Sequence, residues 1–284
     1  MTFSIAAWDP SPAGPEWGVA VASKFLAVGS LVPWARANAG AIATQAFAKL
    51  TYGSEGLERL GRGDDADAVV RALTEADEGR AQRQLGVVDA RGRAATFTGE
   101  ECMDWAGGRA GDGYCCQGNI LAGPEVVDAM ASAFESTGGD LATRLVRAVE
   151  AGDDAGGDRR GRQSAALLVV REAGGYLGET DRVLDLRVDD HGHPVRELTR
   201  LLDLHRLYFP RPETLDFVPL DEALAEEVGA LLEARGYPVG TGGRDATLRD
   251  ALFAYMGTEN LEERWTDDPA IERVVLEHLR RPKT

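Results

Sequence analysis

The 284-residue chain carries 47 acidic and 31 basic residues, a formal net charge of −16, and 44% hydrophobic residues. This length and apolar fraction predict a folded protein with one large and one smaller domain. Recognition of phosphate needs clustered Lys and Arg, so the acidic balance argues against nucleic acid and anionic membrane as partners.

Cysteine usage and the N-terminal sequence bear on the cellular compartment. The three cysteines, Cys102, Cys115 and Cys116, are an odd set without the spacing of a metal site, which is typical of reduced thiols. The N-terminus lacks the basic and apolar regions of a signal peptide, and no apolar run reaches the ~18 residues of a membrane span. We therefore expect a cytoplasmic protein.

In chain order, residues 1–210 predict pairs of strands alternating with helices. Strands are predicted at 2–9, 17–28, 40–47, 83–99 (a hairpin), 114–121, 164–172 and 182–190. Helices are predicted at 54–60, 65–76, from Pro124, from Asp140 and at 194–207. The nearly continuous apolar run 18–29 indicates a strand covered on both faces. This pattern predicts an α+β fold in which two packed sheets lie between helices, a four-layer αββα sandwich.

The C-terminal part has a different pattern. Residues 210–217 have the composition of a linker, and three helices are predicted beyond it, the last starting at Asp268-Pro269. We therefore predict two domains, 1–210 and 211–284, the second small and all-α.

Several long strings resemble a known family. They include MTFSIAAWDP, GVAVASKFLAVGSLVPWARA, RQLGVVDARGRAATFTG and GGDRRGRQSAALLVV. These strings resemble a bacterial family of unknown function (domain of unknown function 1028) assigned to the Ntn-hydrolase-like fold, and the C-terminal segment resembles a peptidoglycan-binding module found in that family. The resemblance implies an αββα sandwich and, as the default chemistry of the superfamily, amide hydrolysis by an N-terminal Thr, Ser or Cys.

Thr2 is the candidate nucleophile. If Met1 is removed, as is usual before a small residue, Thr2 carries both a hydroxyl and an α-amine. An α-amine has a reference pKa of ~7.7–8.0, so it is substantially neutral near pH 7 and can accept the hydroxyl proton. The structural alternative is that small second residues are common in any cytosolic protein.

Lys24 is the candidate cation beside Thr2. A nearby ammonium would lower the pKa values of the Thr2 amine and hydroxyl, as a lysine does in proteasome-like members of the superfamily. The alternative is a strand-end Lys that extends to solvent. Ser23 and Lys24 point to opposite faces of a regular strand, so only one can face Thr2, and the sequence leaves open which.

The Gly/Arg-rich loop 156–164 precedes a core strand. In proteasome-like relatives an acidic residue and a Ser at a comparable place order the N-terminal amine, which implies such parts for Asp158 and Ser164. Arg159 and Arg162 are candidates for binding a substrate carboxylate, with Gln163 beside them. The alternative is a solvated turn stabilised by local ion pairs.

Two amides are candidate donors to an oxyanion. Asn119 follows a predicted core strand, and its side chain is suited to stabilise a tetrahedral intermediate; Gln45 is a similar, weaker candidate. For Asn119 the alternative is a residue that caps the strand end.

Metal and thiol chemistry are not predicted. Asp189, Asp190, His191 and His193 form an acidic and histidine cluster, but Asp and His are ordinary residues of turns and helix caps. The adjacent Cys115 and Cys116 are expected to be buried and inert. No metal and no other cofactor is predicted.

The leading hypothesis is an N-terminal-nucleophile amidohydrolase that cleaves a small amide or peptide-like bond. The alternative is a non-catalytic binding protein of the same fold that recognises a peptide or a peptidoglycan-like glycan. A homo-oligomer is expected in either case, because sandwiches of this class often associate through their faces.

Overall fold

The computed structural model describes the backbone of residues 2–240 and 244–281, and the side chains of these residues except 244–247. The chain divides into two compact units, Met1–Leu202 and Asp203–Thr284.

The first unit contains two antiparallel sheets. Its strands are β1 (Thr2–Asp9), β2 (Glu16–Ser23), β3 (Pro33–Arg36), β4 (Gly40–Ala46), β5 (Arg83–Asp89), β6 (Ala94–Thr98), β7 (Gly107–Gly111), β8 (Tyr114–Asn119), β9 (Ser164–Val170) and β10 (Arg182–Val188). The six-stranded sheet has the order β10-β9-β2-β1-β8-β7, and the four-stranded sheet has the order β3-β4-β5-β6. The first two strands of the chain therefore lie at the centre of the larger sheet.

Five helices begin in the first unit. They are α1 (Thr51–Gly61), α2 (Ala66–Glu75), α3 (Glu125–Ser136), α4 (Leu141–Asp154) and α5 (Pro194–Tyr208). Asp65 and Asp140 cap α2 and α4 by accepting hydrogen bonds from the backbone N–H groups of Ala68 and Thr143. These caps are local features, and the sequence predicts both helices close to their observed bounds.

Three buried clusters form the core of this unit. One joins the six-stranded sheet to α3, α4 and α5, and includes Ile5 and Leu145. A second contains apolar residues of both sheets, such as Ala6 and Ala43. A third joins the four-stranded sheet to α1 and α2, and includes Ile42. Ile5 and Ala6 are neighbours on β1 but belong to different clusters, so this strand is covered on both faces.

Three strand predictions need correction. Pro33–Arg36, where no strand is predicted, is the edge strand β3 of the four-stranded sheet. Gly107–Gly111, predicted as part of a Gly-rich loop, is the edge strand β7. Its glycines meet close neighbours, since a Cβ at Gly108 would lie 2.6 Å from Thr96 Oγ1. The second strand ends at Ser23 rather than at residue 28. It ends there because the Lys24 N–H donates to the Asp158 carboxylate at 2.7 Å.

The second unit is helical but not all-α. It contains α6 (Glu222–Ala234), α7 (Arg244–Thr258) and α8 (Arg273–Arg280), together with a pair of three-residue strands, β11 (Phe217–Pro219) and β12 (Ala270–Glu272). The helix predicted from Asp268 starts at Arg273, where Glu272 accepts hydrogen bonds from two backbone N–H groups. Three-residue strands are too short to show alternation, and Ile271 of β12 happens to fit the helical spacing of Val275 and Leu279.

None of the helices in the described ranges has the length and apolar character needed to cross a membrane.

Candidate functional site

Four polar residues form a row across one end of the six-stranded sheet. In register, Thr2 pairs with Asn119 on β8, Phe3 pairs with Ala22 on β2, and Ser23 pairs with Ser164 on β9. The row therefore runs Ser164, Ser23, Thr2, Asn119 over four adjacent strands, and all four residues are buried. We call these four residues the Thr2 row.

The Thr2 hydroxyl contacts Ser23. Thr2 Oγ1 lies 3.1 Å from Ser23 Oγ, and the Thr2 carbonyl accepts a hydrogen bond from Gln45 Nε2 at 3.3 Å. The Lys24 side chain is exposed. The sequence left open whether Ser23 or Lys24 faces Thr2. In the structure the Ser23 side chain contacts Thr2. Met1, on whose removal the Thr2 hypothesis depends, lies outside the described residues.

Asn119 has an amide hydrogen available. Its Nδ2 donates one hydrogen bond, of 2.9 Å, to Gln84 Oε1. Within the part of the chain that the structure describes, this is the only hydrogen bond of the Asn119 side chain. The second Nδ2 hydrogen can therefore be donated to a ligand beside Thr2.

Buried glutamines support the Thr2 row from the four-stranded sheet. Gln45 Nε2 donates to Gln84 Oε1 at 2.8 Å, and Gln45 Oε1 accepts from Ser4 Oγ at 2.7 Å. Gln84 Nε2 in turn donates to the Gly118 carbonyl at 2.7 Å. Gln45, predicted as an oxyanion donor, thus uses its amide within this network.

Three members of the network are missed by the sequence analysis, namely Ser4, Gln84 and Gln117. Each lies within a core strand, and each is fully buried. Buried polar groups need hydrogen-bond partners, so polar positions inside predicted core strands are the signal that would have found them.

Asp158 ties the 156–164 loop to the end of β2. Its buried carboxylate accepts the Lys24 N–H at 2.7 Å and the Arg160 N–H at 2.9 Å, and it pairs with the Arg160 guanidinium at 3.3 Å. Ser164 Oγ donates to the Phe25 carbonyl and accepts from the Val28 N–H at 3.1 Å. Through these contacts Asp158 and Ser164 hold the backbone of residues 24–28, the segment that follows β2.

The other candidate residues of this loop differ in the hydrogen bonds that they form. Arg162 Nε donates to both carboxylate oxygens of Asp153, at 2.7 and 2.8 Å. Arg159 is exposed, and its backbone N–H donates to the Ile120 carbonyl at 3.3 Å. The Gln163 backbone N–H donates to the Ser23 carbonyl at 3.1 Å. Of the two predicted carboxylate binders, Arg159 is therefore the one that pairs with no carboxylate among the described residues.

The other reactive groups are not members of the Thr2 row, although the His191 backbone N–H donates to the carbonyl of Gln163, the residue before Ser164, at 2.8 Å. His191 Nδ1 accepts the His193 N–H at 3.0 Å, as in a turn, and the described residues contain no group of three His, Cys, Asp or Glu arranged to hold a metal ion. Cys115 and Cys116 are fully buried. Burial raises the pKa of the Cys115 thiol to about 12 and that of Cys116 well above its ordinary value, so neither is a thiolate near pH 7.

Comparison with known proteins identifies the family. Residues 2–198 match the "Family of unknown function (DUF1028)", and residues 208–279 match the "Putative peptidoglycan binding domain". The chain therefore belongs to the DUF1028 family and carries a peptidoglycan-binding-type domain, as the sequence strings indicate.

A solved structure supports this assignment. The chain is similar to the crystal structure of protein SPO2555 from Silicibacter pomeroyi, which carries the same family description. The two sequences are 34% identical, the match covers 72% of this chain and 86% of that one, and the TM-score is 0.66. No curated protein matches this chain significantly.

Proposed function

We propose that the first unit hydrolyses amide bonds with Thr2 as the nucleophile, in a mature chain whose first residue is Thr2. The observation that carries the proposal is the contact of 3.1 Å between the Thr2 and Ser23 hydroxyls inside the buried Thr2 row. The order of the three clusters, with helices, two sheets and helices in succession, is what a four-layer αββα sandwich of the Ntn type requires. Thr2 also stands at the start of β1, where an N-terminal nucleophile is expected.

In this scheme the nucleophile and its base belong to one residue, Thr2. The Thr2 α-amine accepts the hydroxyl proton, and Oγ1 forms a bond to the amide carbonyl carbon. The second Nδ2 hydrogen of Asn119 is donated to the oxyanion of the tetrahedral intermediate. The C–N bond then breaks, and the leaving amine takes the proton from the Thr2 ammonium. Water adds to the resulting ester, the acid leaves, and the Thr2 hydroxyl is restored.

Ser23 has a positioning role in this scheme. Its hydroxyl holds Thr2 Oγ1 in one orientation, and it is itself fixed by its place in β2 beside Ser164. Lys24, predicted to lower the pKa values of the Thr2 amine and hydroxyl, has no part in this scheme, because its side chain is exposed whereas that of Ser23 contacts Thr2.

N-terminal sequencing and two Thr2 variants test the proposal. Intact mass and N-terminal sequencing should show a chain that starts at Thr2, and Thr2→Ala should abolish release of p-nitroaniline from acyl p-nitroanilides, in which the scissile amide joins the acyl group directly to p-nitroaniline. Thr2→Ser should retain part of the activity, because it keeps the hydroxyl and the amine. Ser11→Ala, in the exposed β1–β2 loop, is the matched control. Undiminished activity of Thr2→Ala, or of protein that keeps residues before Thr2, would overturn the mechanism.

For the second unit we propose a peptidoglycan-related ligand. The observation that favours it is the family match over residues 208–279. The full-length protein should co-sediment with purified peptidoglycan, and soluble muropeptides should compete. Recovery of all the protein in the supernatant would contradict this proposal without affecting the Thr2 hydrolase.

Three further expectations remain predictions. We propose that the boundary between the two domains lies within residues 202–211, that is, between the division of the two compact units and the predicted linker. Limited proteolysis would locate it. A homo-oligomer is predicted, and light scattering measures it. A cytoplasmic location is predicted, and cell fractionation tests it.

A further inference from the structure

Exposed apolar side chains are concentrated at one end of the first unit. Seven large hydrophobic side chains are exposed among its described residues. Two of them, Tyr176 and Leu177, lie in the β9–β10 loop, at the end of the sheet away from Thr2. The other five belong to the loops at the Thr2 end, and we call them the apolar rim: Phe25, Leu26, Phe47, Leu50 and Met103.

The loops of the apolar rim are joined to the Thr2 row by short links. The Phe25 carbonyl accepts from Ser164 Oγ. The Met103 carbonyl accepts the N–H of Ile120, the residue after Asn119, at 2.8 Å. Phe47 follows Gln45 by two residues. The five rim residues therefore belong to three separate loops, each of which is linked to the Thr2 row or to Gln45 beside it.

Two exposed cations lie at the same end. Among the described residues, neither Lys24 nor Arg159 forms an ion pair, whereas Arg160 and Arg162 pair with Asp158 and Asp153. The backbone N–H of Lys24 is held by the Asp158 carboxylate, the neighbour of Arg159 in the chain. In a protein of net charge −16, two cations that have no ion-pair partner in the described part of the chain are complementary to an anionic ligand.

We propose that the substrate is an N-acylated amino acid, an amide that joins an apolar acyl group to an amino acid with a free carboxylate. The acyl chain lies on the apolar rim, the amide carbonyl lies at Thr2, and the carboxylate binds Lys24 and Arg159, whose guanidinium can hold it with two hydrogen bonds. Water is consumed, and the products are the carboxylic acid and the free amino acid. This inference rests on the proposed function for the identity of the scissile bond.

Three ligands test separately whether binding requires the apolar acyl chain and whether it requires the carboxylate. N-decanoylglycine has both groups, decanoylglycinamide lacks the carboxylate, and N-acetylglycine lacks the long chain. Binding is measured by titration calorimetry on full-length Thr2→Ala protein, with the ligands below their critical micelle concentrations. N-decanoylglycine should bind about tenfold or more tightly than either of the others, as expected for the loss of one well-buried apolar group or one charge-assisted contact.

Matched variants assign the effects to residues. Phe47→Ser should weaken both decanoyl ligands and leave N-acetylglycine unchanged, whereas Tyr176→Ser, an equally exposed aromatic residue at the far end, should have no effect. Arg159→Gln should weaken the two carboxylates only, with exposed Arg196→Gln as its control.

The outcomes separate this inference from the hydrolase proposal. Selective binding of N-decanoylglycine without its hydrolysis by the wild-type protein would support the specificity and overturn the Thr2 mechanism. Hydrolysis of all three amides with equal kcat/KM would support the mechanism and overturn the specificity. Equal binding of the three ligands, or equal effects of Phe47→Ser and Tyr176→Ser, would also overturn the specificity.

Discussion

Gln84 and Asn119 belong to different sheets, and the Asn119 side-chain amide donates a hydrogen bond of 2.9 Å to Gln84 Oε1. Gln84 also donates to Thr98 Oγ1 at 2.9 Å and to the Gly118 carbonyl at 2.7 Å. One fully buried side chain thus links β5 to β6 and to the strand that carries Asn119. Its hydrogen bonds fix the orientation of the amide that the proposed mechanism uses.

Removal of the Gln84 amide should destabilise the fold. Gln84→Leu keeps a similar size but leaves the Asn119 amide and the Gly118 carbonyl without their buried partner, so the free energy of unfolding should fall by about 3 kcal/mol or more. Urea unfolding measures it. Gln82→Leu, an exposed Gln two residues earlier, should change stability by less than ~0.5 kcal/mol. Equal effects of the two substitutions would contradict the role of the network.

Asn119 should affect catalysis more than substrate binding. Asn119→Leu removes the proposed oxyanion donor, so kcat should fall by about 10²- to 10³-fold while KM changes little. Steady-state kinetics with an acyl p-nitroanilide measure this split. Gln82→Leu again serves as the control. A rise in KM at constant kcat would place Asn119 in ground-state binding instead.

Gly86 leaves space for Gln117. A Cβ at Gly86 would lie 2.1 Å from Gln117 Oε1, a buried atom without a hydrogen-bond partner among the described residues. The Gln117 amide is held by Ser4 Oγ at 2.7 Å, so the side chain cannot move away freely. Gly86→Ala should therefore cost roughly 1–3 kcal/mol in thermal or urea unfolding. Gly138→Ala, where a Cβ meets nothing within 4 Å, should be close to neutral, and an equal loss there would contradict the packing argument.

Asp77 should make stability depend on acid pH. Burial raises the pKa of its carboxyl, but hydrogen bonds from Arg83 at 3.0 Å, Tyr52 at 2.8 Å and the Gly79 N–H at 3.1 Å outweigh burial, and the pKa lies well below its ordinary value. Because the pKa is depressed in the folded state, this stabilisation is fully present above the unfolded pKa of ~3.9 and is lost as the pH falls towards the folded pKa.

Asp77→Asn should therefore reduce the free energy of unfolding at pH 7 and reduce it less at pH 3. Urea unfolding at both pH values measures the difference from the wild type. Asp67→Asn, an exposed carboxyl on α2, should show little change at either pH. A difference for Asp77→Asn that is the same at pH 7 and pH 3 would contradict the assignment.

The second unit contains one buried and one exposed ion pair that can be compared directly. Arg264 and Glu272 are both buried, with N and O atoms 2.9 Å apart, whereas the Arg273–Asp216 pair is exposed. Arg264→Met leaves a buried carboxylate without its cation and should cost about 3–5 kcal/mol. Arg273→Met should cost at most about 1 kcal/mol. Unfolding of the full-length protein followed by Trp fluorescence measures both, and similar costs would contradict the prediction.

Local signals predicted the elements that depend on near neighbours. The helical spacing of apolar residues and the caps Asp65 and Asp140 are properties of short segments, so α2 and α4 are predicted close to their observed positions. The edge strands β3 and β7 and the pair β11 and β12 are missed, because short or glycine-rich strands are defined by their partners and carry little pattern of their own.

The sequence by itself determined the family, the change of pattern near residue 210, and Thr2 as a candidate, since these depend on residue identity and order. Only the tertiary structure decided that Ser23 is the side chain that meets Thr2, that Asn119 and Ser164 lie in the same row, and that Gln84 supports it. The reason is physical: strand register and sheet packing bring together side chains that are far apart in the chain, and a shift of one residue in register would turn each of them to the opposite face.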